Sequence, residues 1–509
     1  MALSNGSVWR KWDLHVHTPM SIVQHYGGDT PEVWEKYVLA LENLPPEIQV
    51  LGVNDYIFID GYRKLLQFKK NGRMANIARL FPVIELRLNK FGGSESKLSR
   101  VNFHVLFSDE VSCDIIQAQF INTLTTAYVI ADNLHWSAVP TIGSLANLGQ
   151  MVKHSAPQGK VPSEKDVEVG FNALNFSKEG VMRRLQQHYF QGHVLTAVGS
   201  TEWNDIRWNQ QSSAEKRDMI NSVDMVFTAS PTAEQFAKTR LNLERAEVNH
   251  MVIHASDAHY FADSVELSRL GHCYTWIKAD TTFDGLKQAL KEPNDRIWIG
   301  EEKPPKLMMV QNNSTHYVQS LKVKAAASLP QGRGIWFDAE IVFNPELISI
   351  VGNKGHGKSA LADILGLLGN SPDMKYCSFL NEKKFRKNKL ANQYAAELFW
   401  ESGERISCNL GKDPDPSSVP TIKYLPQHYL EVLCNDEDHL LERELHAVAY
   451  AHIPVSQRCG ETSFDAVVSK QNQAKDVQLK LLRSELHELN QTIVELDEKG
   501  AWQQLEQNQ

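Results

Sequence analysis

Asp13-Leu14-His15-Val16-His17-Thr18 is the stretch on which the reading of this chain turns. Residues two apart on a strand project from one face, so His15 and His17 can offer both imidazoles to one metal. The same spacing recurs at Asp257 and His259, within Ser256-Asp257-Ala258-His259, just beyond the apolar run Met251-Val252-Ile253. Glu85 follows Phe81-Pro82-Val83-Ile84 at an expected strand end. His104 lies in an expected strand, Val101 to Phe107, with Phe103, Val105 and Phe107 facing the opposite way. Mixed histidine and carboxylate ligands suit Zn, Mn or Fe, and an acidic bridge such as Glu85 suits two metals close together. Paired metals lower the pKa of a bridging water and brace both oxygens of a displacement at phosphorus. A lone HxH is usually a surface or core histidine pair, and a lone Asp-Ala-His carries no more weight. In this order, at strand ends, the six residues read together as a metal site that is also the catalytic centre.

Around these residues the chain alternates short apolar runs with helix-favouring segments up to about residue 300. Val50-Leu51-Gly52-Val53, His193 to Val198 and Met225-Val226-Phe227 are further strand candidates. Such alternation predicts an α/β fold, either a β/α barrel or a related layered sheet. Ser144 to Asp166, with scattered Gly, Ser and Pro, reads as a long loop near the site. The pattern breaks at Glu301-Glu302-Lys303-Pro304-Pro305, placing a linker over 301–322 after a first domain over 1–300.

A second α/β unit is expected over 323–464. Leu347-Ile348-Ser349-Ile350-Val351 reads as a buried strand running into Gly352-Asn353-Lys354-Gly355-His356-Gly357-Lys358-Ser359, with a helix from Ser359 to Leu368. The loop satisfies GxxxxGK[ST] in full. Its glycines let backbone amides cradle phosphates, Lys358 reaches the β and γ phosphates of ATP, and Ser359 ligates Mg. Lys383-Lys384-Phe385-Arg386-Lys387-Asn388-Lys389 gathers five basic residues around one aromatic, a pattern that fits a solvated surface slightly better than a phosphate-binding one. From residue 465 to 509 the chain turns polar and helix-favouring. Leu479, Leu482, Leu486, Leu489, Ile493 and Leu496 alternate three- and four-residue spacings, the heptad signature of a coiled coil. The sequence stops inside this segment, and a longer natural coiled coil is expected.

Composition bounds the function. A chain of 509 residues is too long for one core. Hydrophobic residues at 42% and charged residues at 22% are ordinary for globular protein. The formal charge of −8 means that any nucleic-acid surface must be local. Six scattered cysteines form no CxxC pair, which fits a reducing cytosol. Met1 to Arg10 lacks the apolar core of a signal peptide, and no apolar run reaches the roughly 18 residues of a membrane span, so a cytoplasmic location is expected.

The DLHVHT start, the positions of Glu85 and His104, and the SDAH close resemble the PHP (polymerase and histidinol phosphatase) phosphoesterase superfamily over roughly the first 300 residues. The resemblance implies a distorted seven-stranded β/α barrel with up to three metals at the C-terminal ends of its strands. It also implies hydrolysis of phosphomonoesters or phosphodiesters by a metal-bound hydroxide, without a protein nucleophile. Where that family often reads Thr-Asp-His, this chain has Asn54-Asp55-Tyr56, so Tyr56 replaces a usual ligand and Asp55 is either a ligand or an acceptor that orients a histidine. Glu202, after the strand His193 to Val198, is the candidate for the family's later ligand.

Lys423-Tyr424-Leu425-Pro426-Gln427 looks like the Q-loop of ABC-type ATPases, with Gln427 sensing Mg and the attacking water. P-loop, Q-loop and coiled coil in this order resemble the N-terminal half of an SMC-type ATPase head. The signature motif, Walker B run and switch histidine do not follow, so efficient ATP hydrolysis by this chain alone is not expected. The whole order resembles bacterial PHP-domain ATPases of the TrlF type. That resemblance implies a metal-dependent nuclease acting on DNA or RNA, gated by ATP through head-to-head homodimerisation, in defence against phage or foreign DNA. Two alternatives stand beside it: a phosphatase on small phosphomonoesters such as nucleotides, and a non-catalytic ATP-dependent DNA-binding or sensing module.

Overall fold

The apolar runs pair side by side because β-branched and aromatic residues fill a pleated, half-buried surface well. The computed structural model describes residues 7–94, 97–124, 126–131, 134–205, 213–325, 338–434 and 439–507. It divides into two units. The first runs to Gln319 and includes Val342–Leu347 and Trp400–Ser402; the second holds Ser320–Ile341, Ile348–Phe399 and Gly403–Gln509.

The first unit contains, in chain order, β1 (Val8–Val16), β2 (Ile48–Asn54), β3 (Arg79–Ser94), β4 (Lys97–Phe107), β5 (Thr126–Ala131), β6 (Leu134–Ala138), β7 (Val194–Gly199), β8 (Met225–Thr228), β9 (Val252–His254), β10 (Thr275–Ala279) and β11 (Ile297–Ile299). Nine of them form one sheet in the order β11-β10-β1-β2-β3-β4-β7-β8-β9, and β5 pairs with β6 alone. β1, β2 and β3 are parallel, β4 is antiparallel to both β3 and β7, and β7, β8 and β9 are again parallel. The two ends of this run nearly meet. His17 N donates to Ala258 O at 3.0 Å and Ala258 N to His15 O at 3.4 Å, across a parallel bridge between Val16 and Ala258. The result is a nearly closed, barrel-like sheet in a mixed α/β unit. One core cluster takes Trp12, Val50, Phe81, Leu195, Met225 and Ile253 from strands all round the sheet, so it fills the inside of the curve. Helix Phe283–Lys291 packs onto the same cluster through Phe283 and Leu286.

β12 (Val318–Ala325), β13 (Ala339–Val342), β14 (Tyr394–Trp400) and β15 (Arg405–Asn409), most of whose residues belong to the second unit, form a sheet in the order β13-β12-β14-β15. Helix Lys358–Leu368 buries Ile364 and Leu367. Its fully buried Asp363 accepts Phe379 N at 2.7 Å, Leu380 N at 2.9 Å and the Tyr424 hydroxyl. Helix Phe464–Gln507 follows, with Leu479, Leu482, Leu486, Leu489, Ile493 and Leu496 each between 49% and 61% exposed. The last two residues of the expected coiled coil lie outside the described residues. No helix among the described residues is long and apolar enough to cross a membrane.

Several expectations are corrected. The sheet has nine strands where seven were implied; β10 and β11 add antiparallel to the edge at β1. Ser144 to Asp166 is not a long loop, because Ile142–Ser155 is a helix. Thr141 and Ser144 close a capping box, with Ser144 N to Thr141 Oγ1 at 3.1 Å and Thr141 N to Ser144 Oγ at 2.8 Å. The glycines of this region instead let two helices touch: a Cβ on Gly149 would lie 1.8 Å from Asp166 O, and one on Gly170 1.9 Å from Leu145 O. Leu347–Val351 is not a buried strand. Leu347 is 94% and Val351 87% exposed, and among the described residues no strand takes up its backbone groups. The stretch expected to be a linker contains helix Pro305–Asn312 and the start of β12. Glu85 is not at a strand end either, since β3 runs on to Ser94.

Candidate metal centre

β1, β2, β7, β8 and β9 all point the same way, so their C-terminal ends gather at one mouth of the sheet. There a cavity of about 470 Å³ is lined by His15, Glu85, His104, Asp257, His259 and Glu202, with Tyr56, Arg87 and Asn102 among their neighbours. β1 delivers His15 and His17. β4, running against its neighbours, sets His104 directly opposite Glu85 of β3. The loop after β9 brings Asp257 back to β1.

The ligand atoms converge in two groups that share His15: His15 with His17 and Asp257, and His15 with Glu85 and His104. His15 Nε2 is 3.1 Å from His17 Nε2, 3.1 Å from Asp257 Oδ1 and 3.6 Å from Glu85 Oε2. His17 Nε2 is 3.2 Å from Asp257 Oδ1, and His104 Nε2 is 3.5 Å from Glu85 Oε2. His15, His17, Glu85 and His104 are buried, whereas the Asp257 side chain remains 45% exposed. Both ring nitrogens of His104 are buried without a hydrogen-bond partner among the described residues. Two imidazole nitrogens facing each other and a third left orphaned in the interior are a costly arrangement with protein partners alone. A cation accepting one lone pair from each ring relieves the crowding, so the donor set fits a divalent metal.

Electrostatics point the same way. Burial presses the His15 imidazole down to about 3, helped by His104 and His17, and it likewise lowers His17, so both rings are neutral. Burial pushes the Glu85 carboxyl up, but Arg87 and His104 outweigh it and hold the group well below the ordinary range. Asp257 follows the same pattern, with burial overcome by His15, His17 and His259. Neutral imidazoles beside ionised carboxylates are the forms that coordinate metals.

His259 stacks on His17 at a centroid distance of 3.9 Å, its Nδ1 2.6 Å from Asp257 O and its Nε2 3.2 Å from the Tyr56 hydroxyl. It belongs to neither ligand group as the atoms stand. Asp55 is also apart from both. It accepts Thr18 N at 2.9 Å and Thr18 Oγ1 at 2.8 Å, which fixes the chain just after His17, and burial raises its carboxyl to about 7. Glu202 lines the cavity and accepts Asn102 N at 3.2 Å, without joining either group.

Some residues at the site are not among the expected ligands. Asn54 Nδ2 lies 2.6 Å from His15 Nε2 and donates to Glu85 Oε2 at 3.0 Å, bridging two members of one group. Arg87, two residues beyond Glu85 on the same strand face, donates to Glu85 and to Asn102. Ser21 Oγ is 2.8 Å from His17 Nδ1. Arg87 could have been sought by the spacing rule that linked His15 to His17; Asn54 and Ser21 could not. Tyr56 and Asp257 both hold left-handed backbone, at φ 60° and 51°, a strain found most often at functional sites.

The residues Gly352 to Ser359, expected to form a nucleotide loop, lie in the second unit. Gly352 (φ 158°), Gly355 (φ 87°) and Gly357 (φ 88°) supply the turns, and Gly352 through Gly357 are exposed. Lys358 Nζ donates to Gly352 O at 2.7 Å and Asn353 O at 3.0 Å. Ser359 stands in the first turn of helix Lys358–Leu368, and Gln427 opens helix Gln427–Cys434. Phe385 of the basic run is buried against Phe379, and Arg386 pairs with Asp413, leaving Lys383, Lys384, Lys387 and Lys389 on the surface.

No known protein-family model matches this chain, and no curated protein matches it.

Proposed function

We propose that the first unit is a metal-dependent phosphoesterase of the PHP type that cleaves phosphodiester bonds in nucleic acid, and that the second is an SMC-like ATPase half-head that binds ATP with Mg and governs the first. The observation that carries the reading is the pair of ligand groups sharing His15 in an open cavity. Divalent ions held there would supply an activated water and a counter-charge for phosphoryl oxygens. The protein's own part is to keep donors aimed and ionised. Arg87 and Asn54 hold Glu85 from two sides, Ser21 fixes the ring of His17 through Nδ1, and Thr18 and Asp55 anchor the turn that follows. The Arg87 guanidinium, 4.5 Å from the centre of Phe171, also gives the cavity a positive wall for a phosphate. In the second unit, Lys358 is folded onto its own loop carbonyls, and a triphosphate would draw its ammonium outward. Asp363 and Tyr424 tie the helix behind that loop to the segment that leads to Gln427.

A small phosphomonoester also fits a cavity of this volume, and one assay separates the two readings. Labelled single- and double-stranded DNA and RNA, and a nucleoside monophosphate, are incubated with Mn²⁺ with and without ATP. Wild type is expected to cut a polymer. The His15→Ala/His17→Ala variant is expected to lose bound metal by elemental analysis, and to lose more activity than the roughly ten- to hundredfold expected for an outer partner. Phosphate release from the monophosphate alone would overturn the nuclease reading. Full metal content in the double variant would overturn the site.

A further inference from the structure

β3 and β4 do not stop at the ligands. Both run past the sheet's neighbours as a two-stranded arm, and the face that carries Glu85 and His104 continues outward along it. Glu85 pairs with His104, Arg87 with Asn102, and, after an irregularity of two extra residues, Phe91 with Arg100. An even number of inserted residues keeps the facing unchanged, so these three pairs share one side of the arm. At about 3.3 Å per residue, Arg100 lies ~13 Å along β4 from His104. The outermost pair is built as a stacking unit. The Arg100 guanidinium is 4.5 Å from the centre of Phe91 and 5.8 Å from that of Tyr128 on β5, and Phe91 is 52% exposed. The neighbouring Lys90 is committed to Glu215 at 2.9 Å.

Resting on the nuclease reading above, we infer that this arm is the track that holds single-stranded nucleic acid and leads it into the metal cavity. In a chain of net charge −8 a polyanion needs local positive charge, and Arg100 supplies it on the arm, while Arg87, paired with Glu85, stands where the arm meets the metal cavity. Aromatic rings beside guanidinium groups bind the faces of unpaired bases with little regard to sequence, whereas a duplex keeps those faces buried in its own stack. A small phosphomonoester held at His15 and His104 would not reach Phe91 or Arg100; a polymer strand would.

The test measures binding without chemistry. Fluorescent oligothymidylate, oligouridylate and a matched duplex are titrated onto the full chain in EDTA, at several salt concentrations. Wild type is expected to prefer both single strands, and the comparison of the two shows whether the sugar matters. Phe91→Ala/Arg100→Ala is expected to weaken single-strand binding roughly ten- to a hundredfold. It should also flatten the salt slope by about 0.7 for each phosphate that is no longer neutralised. Arg100→Lys, which keeps the charge, should keep the slope and lose part of the affinity, guarding against a merely misfolded alanine variant. Preference for duplex, or unchanged single-strand binding in both variants, overturns the arm's role. Adding Mn²⁺ then reads cleavage separately: strong arm-dependent binding with no cutting supports the track while removing the nuclease reading, and cutting without arm-dependent binding does the reverse.

Discussion

At the scale of single residues, the site is decided as much by tautomers and charges as by ligand identity. His254 illustrates this outside the ligand groups. It is fully buried, its Nε2 is 3.0 Å from Ser230 O and its Nδ1 accepts Tyr274 N at 3.3 Å, a pattern only the neutral ring can satisfy. Burial lowers its pKa to about 4, with His272 and Lys11 adding to the effect. The folded value lies below the ordinary 6.5, so the unfolded chain takes the proton first as pH falls. The stabilisation is complete above about pH 6.5 and drains away between about 6.5 and 4, up to about 3 kcal/mol. Urea unfolding at about pH 7 and about pH 4.5 should show wild type losing more stability over that window than His254→Gln; parallel losses would refute the assignment. Much of the site was readable at this scale. His15, His17, Glu85, His104, Asp257 and His259 all reach one mouth of the sheet because strand spacing is a local property. Asn54 and Ser21 were not readable, because an amide or hydroxyl acquires its role only from what folding sets against it.

At the scale of elements, strand and helix alternation was visible, and the misreading of Ser144 to Asp166 as a loop has a plain cause. Gly and Ser look like breakers in sequence where the fold uses them for close packing or for capping. Helix Ile142–Ser155 tests this. Thr141→Ala removes the cap and should cost about 1 kcal/mol. Gly149→Ala should cost more, about 3 kcal/mol, because the new methyl meets the backbone oxygen of Asp166, which cannot swing aside as a side chain can. Thermal melts of the two variants check the order; equal shifts would mean the helices can separate freely. Leu347–Val351 fails as a strand for a different reason. A strand is a relation between two segments, and a β-favouring sequence says nothing about whether a partner exists. The β3–β4 arm is hidden in the sequence because pairing beyond the barrel depends on the partner strand, and Gly92-Gly93-Ser94 at its outer end reads as a turn that ends β3 early.

At the scale of the whole molecule, the proposed function predicts that the two units, each with its own ligand, behave as two thermodynamic bodies. Calorimetry of the full chain is expected to resolve two transitions, one raised by Mn²⁺ and the other by Mg-ATP, each by about 2.7 kcal/mol at a roughly hundredfold excess over Kd. His15→Ala/His17→Ala should abolish the first shift alone and Lys358→Ala the second alone. A single transition moved by either ligand would instead mean that the units melt together. The seam of the sheet carries a consequence of its own. The two hydrogen bonds that join His15 and His17 to Ala258 lie between the ligands themselves, and Ser256 meets His15 across a separation of 241 residues. Closing the barrel and completing the centre are therefore one event, and it comes late: during synthesis the first histidines emerge long before the aspartate that faces them. A growing chain cannot own this site until its last parallel strand is home, so the two halves of the donor cluster stay apart while the protein is still attached to the ribosome.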